Sequence, residues 1–310
     1  MAYEDTFFDI PYVKLQFILE ILEDTILPQT KVSALRGGMG EMLLQQNCVR
    51  DRDCVNCPFQ KDCLVWDTFY SRAETRPDYV TGKDSVGYLI ECGDLSTHFS
   101  AGSQLTFRLI LFGRSITFFN VYLQAIAYLG MCGLGKYHAK FRIAEVRNAL
   151  GKALIADQRL DMREYRIRTL GDYVRGRKRK LEKEGDHYVL VFVSPLCMKY
   201  HGEYLEQFSG EALVRGAMRR IQMLDFYMGH EAEQAEPTCF PEIKTQQVRG
   251  AEMSRYSSTQ DAKMSLSGIR GKAVFEAIPE DCLDYLLAGE LTHIGKNTSF
   301  GFGQYILKRE

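Results

Sequence analysis

Apolar and polar residues alternate at period two through "YVKLQFILEIL", where Val13, Leu15, Phe17, Leu19 and Ile21 stand against Lys14, Gln16 and Glu20 with one lapse at Ile18. That spacing lays one face of an extended segment on a core and predicts a half-buried strand. The next run, "SALRGGMGEMLLQQ", opens on Ser33, a residue type that caps helix N-termini. Its glycines Gly37, Gly38 and Gly40 predict a slim helix that a neighbour can approach closely. Period two returns in "SQLTFRLILFG" at Leu105, Phe107, Leu109 and Leu111, gives way to helical spacing in "ITFFNVYLQAIAYLGM", and is followed by "GLGKYHAKFRIAEV". The predicted order is strand, helix, strand pair, helix, strand.

The second half repeats that order. "HYVLVFVSPLCMK" reads as a buried strand ending at Pro195. Leu213, Ala217, Ile221 and Leu224 then recur at helical spacing behind a cap at Ser209. "AKMSLSGIRGKAVFEA" is expected to be two strands joined near Gly268 to Gly271, "PEDCLDYLLAG" a short helix starting at Pro279, and "FGFGQYIL" the last strand. Two βαββαβ units, each closing on a glycine-rich turn ("GMCGLGKYH" and "HIGKNTSFGFG"), suggest an α+β chain with a duplicated ferredoxin-like fold. The expected boundaries are a first domain over 1–160, a basic linker over 161–186 and a second domain over 187–310.

Composition narrows the class. The 310 residues are 45% hydrophobic and 12% aromatic, enough to fill a core, which excludes a disordered chain. "MAYEDTFFDIPY" lacks the basic region and apolar run of a signal peptide, and no uninterrupted apolar stretch approaches the roughly 18 residues of a membrane helix, so the expectation is a cytoplasmic protein without a membrane partner. A formal net charge of −1 decides nothing about nucleic acid, because binding depends on where positive charge sits.

Four of the nine cysteines, Cys48, Cys54, Cys57 and Cys63, fall in "CVRDRDCVNCPFQKDC". In a reducing compartment that cluster points to a metal rather than to disulfides, and four thiolates suit a structural zinc, with a four-iron four-sulfur cluster as the alternative. Four protein ligands leave no open position for substrate, so the expected role is to staple a loop. Positive charge is concentrated in "VRGRKRKLEKE", which holds Arg175, Arg177, Lys178, Arg179, Lys180 and Lys183. The stretch suits either a solvated linker or a footprint for a phosphate backbone.

These motifs carry a resemblance. In order, "LRGGMGEML", the four-cysteine loop, "FRLILFG", "GLGKYHAKFRIAEV", "SPLCMKYHGEYL", "RGAMRRIQML", "SRYSSTQDAKMSLSG" and "LTHIGKNTSFGFGQYIL" resemble the CRISPR precursor-RNA-processing endoribonucleases of the RAMP superfamily, nearly end to end. The resemblance implies tandem ferredoxin-like domains, binding of CRISPR repeat RNA, and one cut per repeat to release guide RNAs. Metal-free scission uses the 2′-hydroxyl of the RNA as nucleophile and needs a base, an acid and a cation, leaving a 2′,3′-cyclic phosphate and a 5′-hydroxyl with no cofactor required. Many relatives carry a catalytic histidine on or after the first helix, and "SALRGGMGEMLLQQN" has none.

His293 is therefore the first candidate, with Lys296 one turn on and Tyr256 in the same domain, and His138 is the second, beside Lys136 and Tyr137. RNA contacts are expected from Gly295, Asn297, Thr298, Ser299, Gly301 and Gly303, whose turn can offer backbone amides to phosphate, and from Lys136. Arg255, next to an aromatic, and Ser257 are expected to join them, as are Arg175, Arg177, Lys178 and Arg179 of the basic stretch and Arg219 and Arg220 of the second domain's long helix. Two other readings compete: a non-catalytic RNA-binding RAMP subunit of a CRISPR interference complex, and a metal-stapled scaffold whose cysteine loop docks a partner protein.

Overall fold

The alternation in "PYVKLQFILEI" is realised as the strand Pro11–Ile21, with Val13, Leu15, Phe17, Leu19 and Ile21 all buried. The computed structural model describes residues 8–54, 56–70, 87–182, 185–230, 234–257 and 262–310. They fall into two units, Tyr12–Ile167 with Tyr256–Ala262, and Met1–Pro11 with Arg168–Arg255 and Lys263–Glu310. Both are α+β with antiparallel sheets.

In the N-terminal unit the strand Pro11–Ile21 pairs with Gln104–Phe112 on one side and Phe141–Asn148 on the other, and Tyr88–Glu91 lies outside Gln104–Phe112. Cross-strand register sets Phe17 opposite Phe107, and their rings stack with centroids 5.0 Å apart. Helices α1 (Val32–Asn47) and α3 (Phe119–Cys132) contact one another. Gly38 permits that approach: a Cβ there would lie 2.6 Å from a Leu129 methyl, so the slim helix anticipated from sequence is present. Its cap differs, however. The helix starts behind Lys31, not at Ser33, and the Lys31 ammonium is buried, donating to the carbonyl oxygens of Asp94 (2.9 Å) and Ser96. Burial lowers the pKa of Lys31, while Asp94 opposes that shift.

By length and composition the segment Gly113–Cys132, which includes α3, is apolar enough to cross a membrane, although Arg114, Asn120 and Gln124 interrupt its apolar run. In the fold Tyr122, Ala125, Ile126 and Leu129 are buried in the unit's own core. The short α2 (Leu64–Tyr70) follows the cysteine loop.

The basic stretch expected to be a linker contains α4 (Leu170–Leu181), which belongs to the C-terminal unit. Thr169 and Asp172 form a capping box at its start, and Leu170, Val174 and Leu181 are buried, so an apolar stripe hidden among the arginines and lysines fixes the helix. Ser209 caps α5 (Gly210–Tyr227) through the Ala212 amide as expected, and Leu213, Ala217, Ile221 and Leu224 are fully buried. The sheet of this unit runs Ile243–Ser257, Ala262–Phe275, Tyr188–Phe192, Tyr305–Arg309.

Gly268 and Gly271 do not join two strands here. Both lie inside the single strand Ala262–Phe275, where a Cβ would fall 2.5 Å from the Leu196 carbonyl oxygen and 1.8 Å from that of Gln247. The other arm of the hairpin is Ile243–Ser257. Helix α6 (Glu280–Thr292) follows Pro279, as expected. Counting principal strands and helices, each unit runs strand, helix, strand, strand, helix, strand, with its sheet ordered second, third, first, fourth.

Asp225 on α5 is buried, and burial raises its pKa to about 7. A carboxyl whose folded pKa lies above its unfolded value near 4 stabilises the fold below that value, and the contribution is lost as pH rises through about 7. Asp225→Asn is expected to be more stable than the parent by roughly 1–3 kcal/mol above pH 8 and to match it near pH 4, as read by urea denaturation across pH.

Candidate nucleic-acid interface and active site

The stretch "HIGKNTSFGFG" is built around backbone contacts that leave no room for side chains. Gly295 and Gly303 have φ of +83° and +71°, and a Cβ at these positions would lie 2.6 Å from the Cys197 carbonyl oxygen and 1.8 Å from that of Ile294. The amides of Lys296 and Gly303 donate to the carbonyl oxygens of Cys197 (2.7 Å) and Pro195 (2.8 Å), and those of Phe300, Gly301 and Phe302 donate within the turn. Of the residues expected to hold phosphate here, Gly301 and Gly303 spend their amides on partners inside the protein. Thr298 and Ser299 are buried, and Asn297 is left-handed with φ +62°. Gly301 is also left-handed, with φ +85°. The glycines serve close packing of the turn.

His293 closes α6 with φ +56° and ψ 162°, a region that side chains other than glycine rarely occupy, and its exposure is 0%. A fully enclosed imidazole cannot take a proton from an RNA hydroxyl in this conformation, so the structure does not support the first catalytic candidate. Lys296, three residues on, is exposed. Arg255, Tyr256 and Ser257 end the strand Ile243–Ser257, and their side chains lie outside the described residues.

Beside the turn stands a small hairpin, Lys199–Tyr200 paired with Glu203–Tyr204, which the backbone bridge between Cys197 and Lys296 ties to it. The Lys199 and Lys296 ammonium groups lie 4.9 Å and 5.5 Å from the centroid of the Tyr204 ring. His201 sits at the hairpin's tip with φ +50°, its ring 4.0 Å from that of Tyr200. Sequence reasoning passed over Lys199, Tyr200, His201 and Tyr204. The available signal was the His201-Gly202 pair between short polar-aromatic arms, a two-residue hairpin turn.

In the N-terminal unit the corresponding turn is more open. Leu134 and Ala139 bridge across it, and Gly133, at φ +99°, would place a Cβ 2.2 Å from the His138 carbonyl oxygen. Lys136, Tyr137 and His138 are all exposed, with the Lys136 ammonium 5.5 Å from the Tyr137 ring centroid. This turn gathers an imidazole, a phenol and an ammonium at the surface, the residue types that metal-free RNA scission requires.

Several arginines and lysines expected to meet RNA are engaged in the fold. Arg177 donates to both carboxylate oxygens of Glu290 (2.7 and 3.1 Å) and to the Leu307 carbonyl oxygen (2.6 Å). Lys178 pairs with Asp284 and Glu280, which hold its pKa up against the opposing effect of burial. Arg175 pairs with Asp172, and Arg220 is buried, donating to the Thr292 carbonyl oxygen at 3.0 Å. Arg179 and Arg219 are exposed.

Cys48, Cys54, Cys57 and Cys63 are free thiols, half-buried, lining one cleft of about 340 Å³ between α1 and α2. Burial raises the pKa of Cys54, and the neighbouring Cys63, Cys48 and Cys57 raise it further. The donor set suits zinc or an iron–sulfur cluster; among the described residues no three His, Cys, Asp or Glu side chains stand close enough together to hold an ion.

Residues 10–167 match the family model AF_1859_N, described as an N-terminal domain, and residues 190–305 match the one described as CRISPR-associated endoribonuclease Cas6. No curated protein matches the chain. Among solved structures, the "Partial Cas6-RT-Cas1--Cas2 complex" aligns with a TM-score of 0.59 at 14% identity, over 97% of this chain and 46% of that one. The "Cas6 (TTHB231) product complex" aligns with a TM-score of 0.50 at 13% identity, over 96% and 99%. At such identities the likeness is one of fold, and this chain spans less than half of the first structure's chain.

His293→Ala is expected to lose roughly 1–3 kcal/mol of stability while its folded form retains RNA affinity, measured by thermal denaturation alongside RNA titration. Unchanged stability with abolished cleavage would restore it as a reacting group.

Proposed function

Because residues 190–305 match the CRISPR-associated endoribonuclease Cas6 model, we propose that the chain is a member of that family, binds CRISPR repeat RNA and cuts precursor CRISPR RNA once per repeat. The match of residues 190–305 to the endoribonuclease model carries this reading. The sheet orders of both units support the finer description of tandem ferredoxin-like domains. Its working compartment is the cytoplasm. The aligned structures, a Cas6 product complex and an assembly with RT, Cas1 and Cas2, support repeat RNA and a CRISPR complex as partners.

Cleavage proceeds by attack of the 2′-hydroxyl on the adjacent phosphate without a catalytic metal, leaving a 2′,3′-cyclic phosphate and a 5′-hydroxyl. His138 moves the proton, with Tyr137 beside it and Lys136 balancing charge on the phosphorane; their exposure in one turn supports that assignment. Incubation with repeat RNA in excess EDTA is expected to give a single cut with those ends, and His138→Ala to slow it by roughly 100-fold or more while binding persists. Cleavage that needs a divalent cation, or that His138→Ala leaves at full rate, contradicts the mechanism. The absence of histidine from α1 favours the second reading, a subunit that binds guide RNA without cutting it; intact RNA bound by the parent protein would establish that role.

The cysteine loop enters as a staple in which the four thiols lining the cleft would hold a structural zinc, or a four-iron four-sulfur cluster. Colourless protein with one zinc per chain is expected. Replacing Cys54 and Cys57 by serine should lower the melting temperature and leave the cutting rate of folded protein unchanged. Protein without bound zinc or iron would remove the staple from the account.

A further inference from the structure

Among the described residues of the C-terminal unit, Tyr204 is the one large aromatic side chain left exposed, at 57%. Lys199 and Tyr204 are direct cross-strand partners, so their side chains share a face of the hairpin. Lys296 reaches the same ring from the glycine-rich turn, where its amide is held by the Cys197 carbonyl oxygen at 2.7 Å. Neither ammonium makes an ion pair among the described residues, whereas Arg175, Arg177, Lys178 and Arg215 of this unit all do. Two unneutralised cations converging on one exposed ring expose a π-face and positive charge together, a combination suited to a nucleotide.

We propose that Tyr204, Lys199 and Lys296 form a platform for one single-stranded nucleotide of the repeat RNA. The base stacks on the Tyr204 ring, and the two ammonium groups turn from the ring to the flanking phosphates. This rests on the reading that repeat RNA is the substrate. It deepens that reading by assigning to the C-terminal unit a stacking contact, which backbone amides cannot make. A duplex segment would use the lysines but leave the ring idle, because paired bases are stacked within their own helix.

The test is a titration of full-length protein with labelled repeat RNA over a range of salt, for the parent and for Tyr204→Ala, Tyr204→Trp and the double variant Lys199→Ala/Lys296→Ala, each checked for an unchanged circular dichroism spectrum. Tyr204→Ala is expected to weaken binding by about 5- to 150-fold, and Tyr204→Trp to restore it. The double variant should flatten the slope of log affinity against log salt by about 1.4, the share of two phosphates on a single strand. Parent-like affinity in Tyr204→Ala, or a loss confined to the lysine variant, overturns the stacking platform while leaving the endoribonuclease reading intact. A parent protein that ignores repeat RNA fails the functional reading itself, and the platform with it.

Discussion

The C-terminal unit depends on a backbone fit that only glycine permits. At Gly303 an added Cβ would sit 1.8 Å from the Ile294 carbonyl oxygen, and at Gly295 one would sit 2.6 Å from that of Cys197. Those approaches let the Gly303 amide reach Pro195 and the Lys296 amide reach Cys197. The end of α6 is thereby fastened to the segment leaving the first strand of this unit, with Tyr305–Arg309 continuing beyond the turn. His293 is enclosed by the same closure, and Lys296 is left at the rim facing the hairpin. The amides of Lys296, Gly301 and Gly303 are spent on holding the turn closed, and that closure fixes where the Lys296 side chain stands.

Charge follows a similar division. Arg177, bonded to Glu290 and to the Leu307 carbonyl oxygen, secures α4 to α6 and the last strand; truncating it would leave a buried carboxylate without its cation. Three other cations sit beside exposed rings, Lys136 near Tyr137 in one unit and Lys199 and Lys296 near Tyr204 in the other. A net charge near zero therefore conceals two local sites where positive charge meets an aromatic face.

Strong periodicity was legible in the sequence. The strand around Phe17, the α5 stripe capped by Ser209 and the helix behind Pro279 all follow from local spacing. Errors arose where a tertiary partner sets the conformation. Lys31 takes over the start of α1 because carbonyls from the Asp94 loop receive its ammonium, and Gly268 and Gly271 resemble turn residues although they admit neighbouring backbone to a strand. The basic stretch hid Leu170, Val174 and Leu181, three apolar positions spaced to form a helical stripe. For the candidate site, residue type was readable and exposure was not. His293 and His138 stand in comparable turns, and only the fold distinguishes the enclosed imidazole from the open one. The hairpin at Lys199–Tyr204 went unassigned because strands of two residues have no measurable period.

The most direct test of the packing role is amide hydrogen exchange across residues 194–206 and 293–304, with and without repeat RNA. The account predicts that the amides of Lys296 and Gly303 are protected in the free protein and change little on binding, while the hairpin Lys199–Tyr204 slows once RNA is present. Rapid exchange at Lys296 and Gly303 in the free protein, converted to strong protection by RNA, would show the turn to be a phosphate cradle and contradict the account.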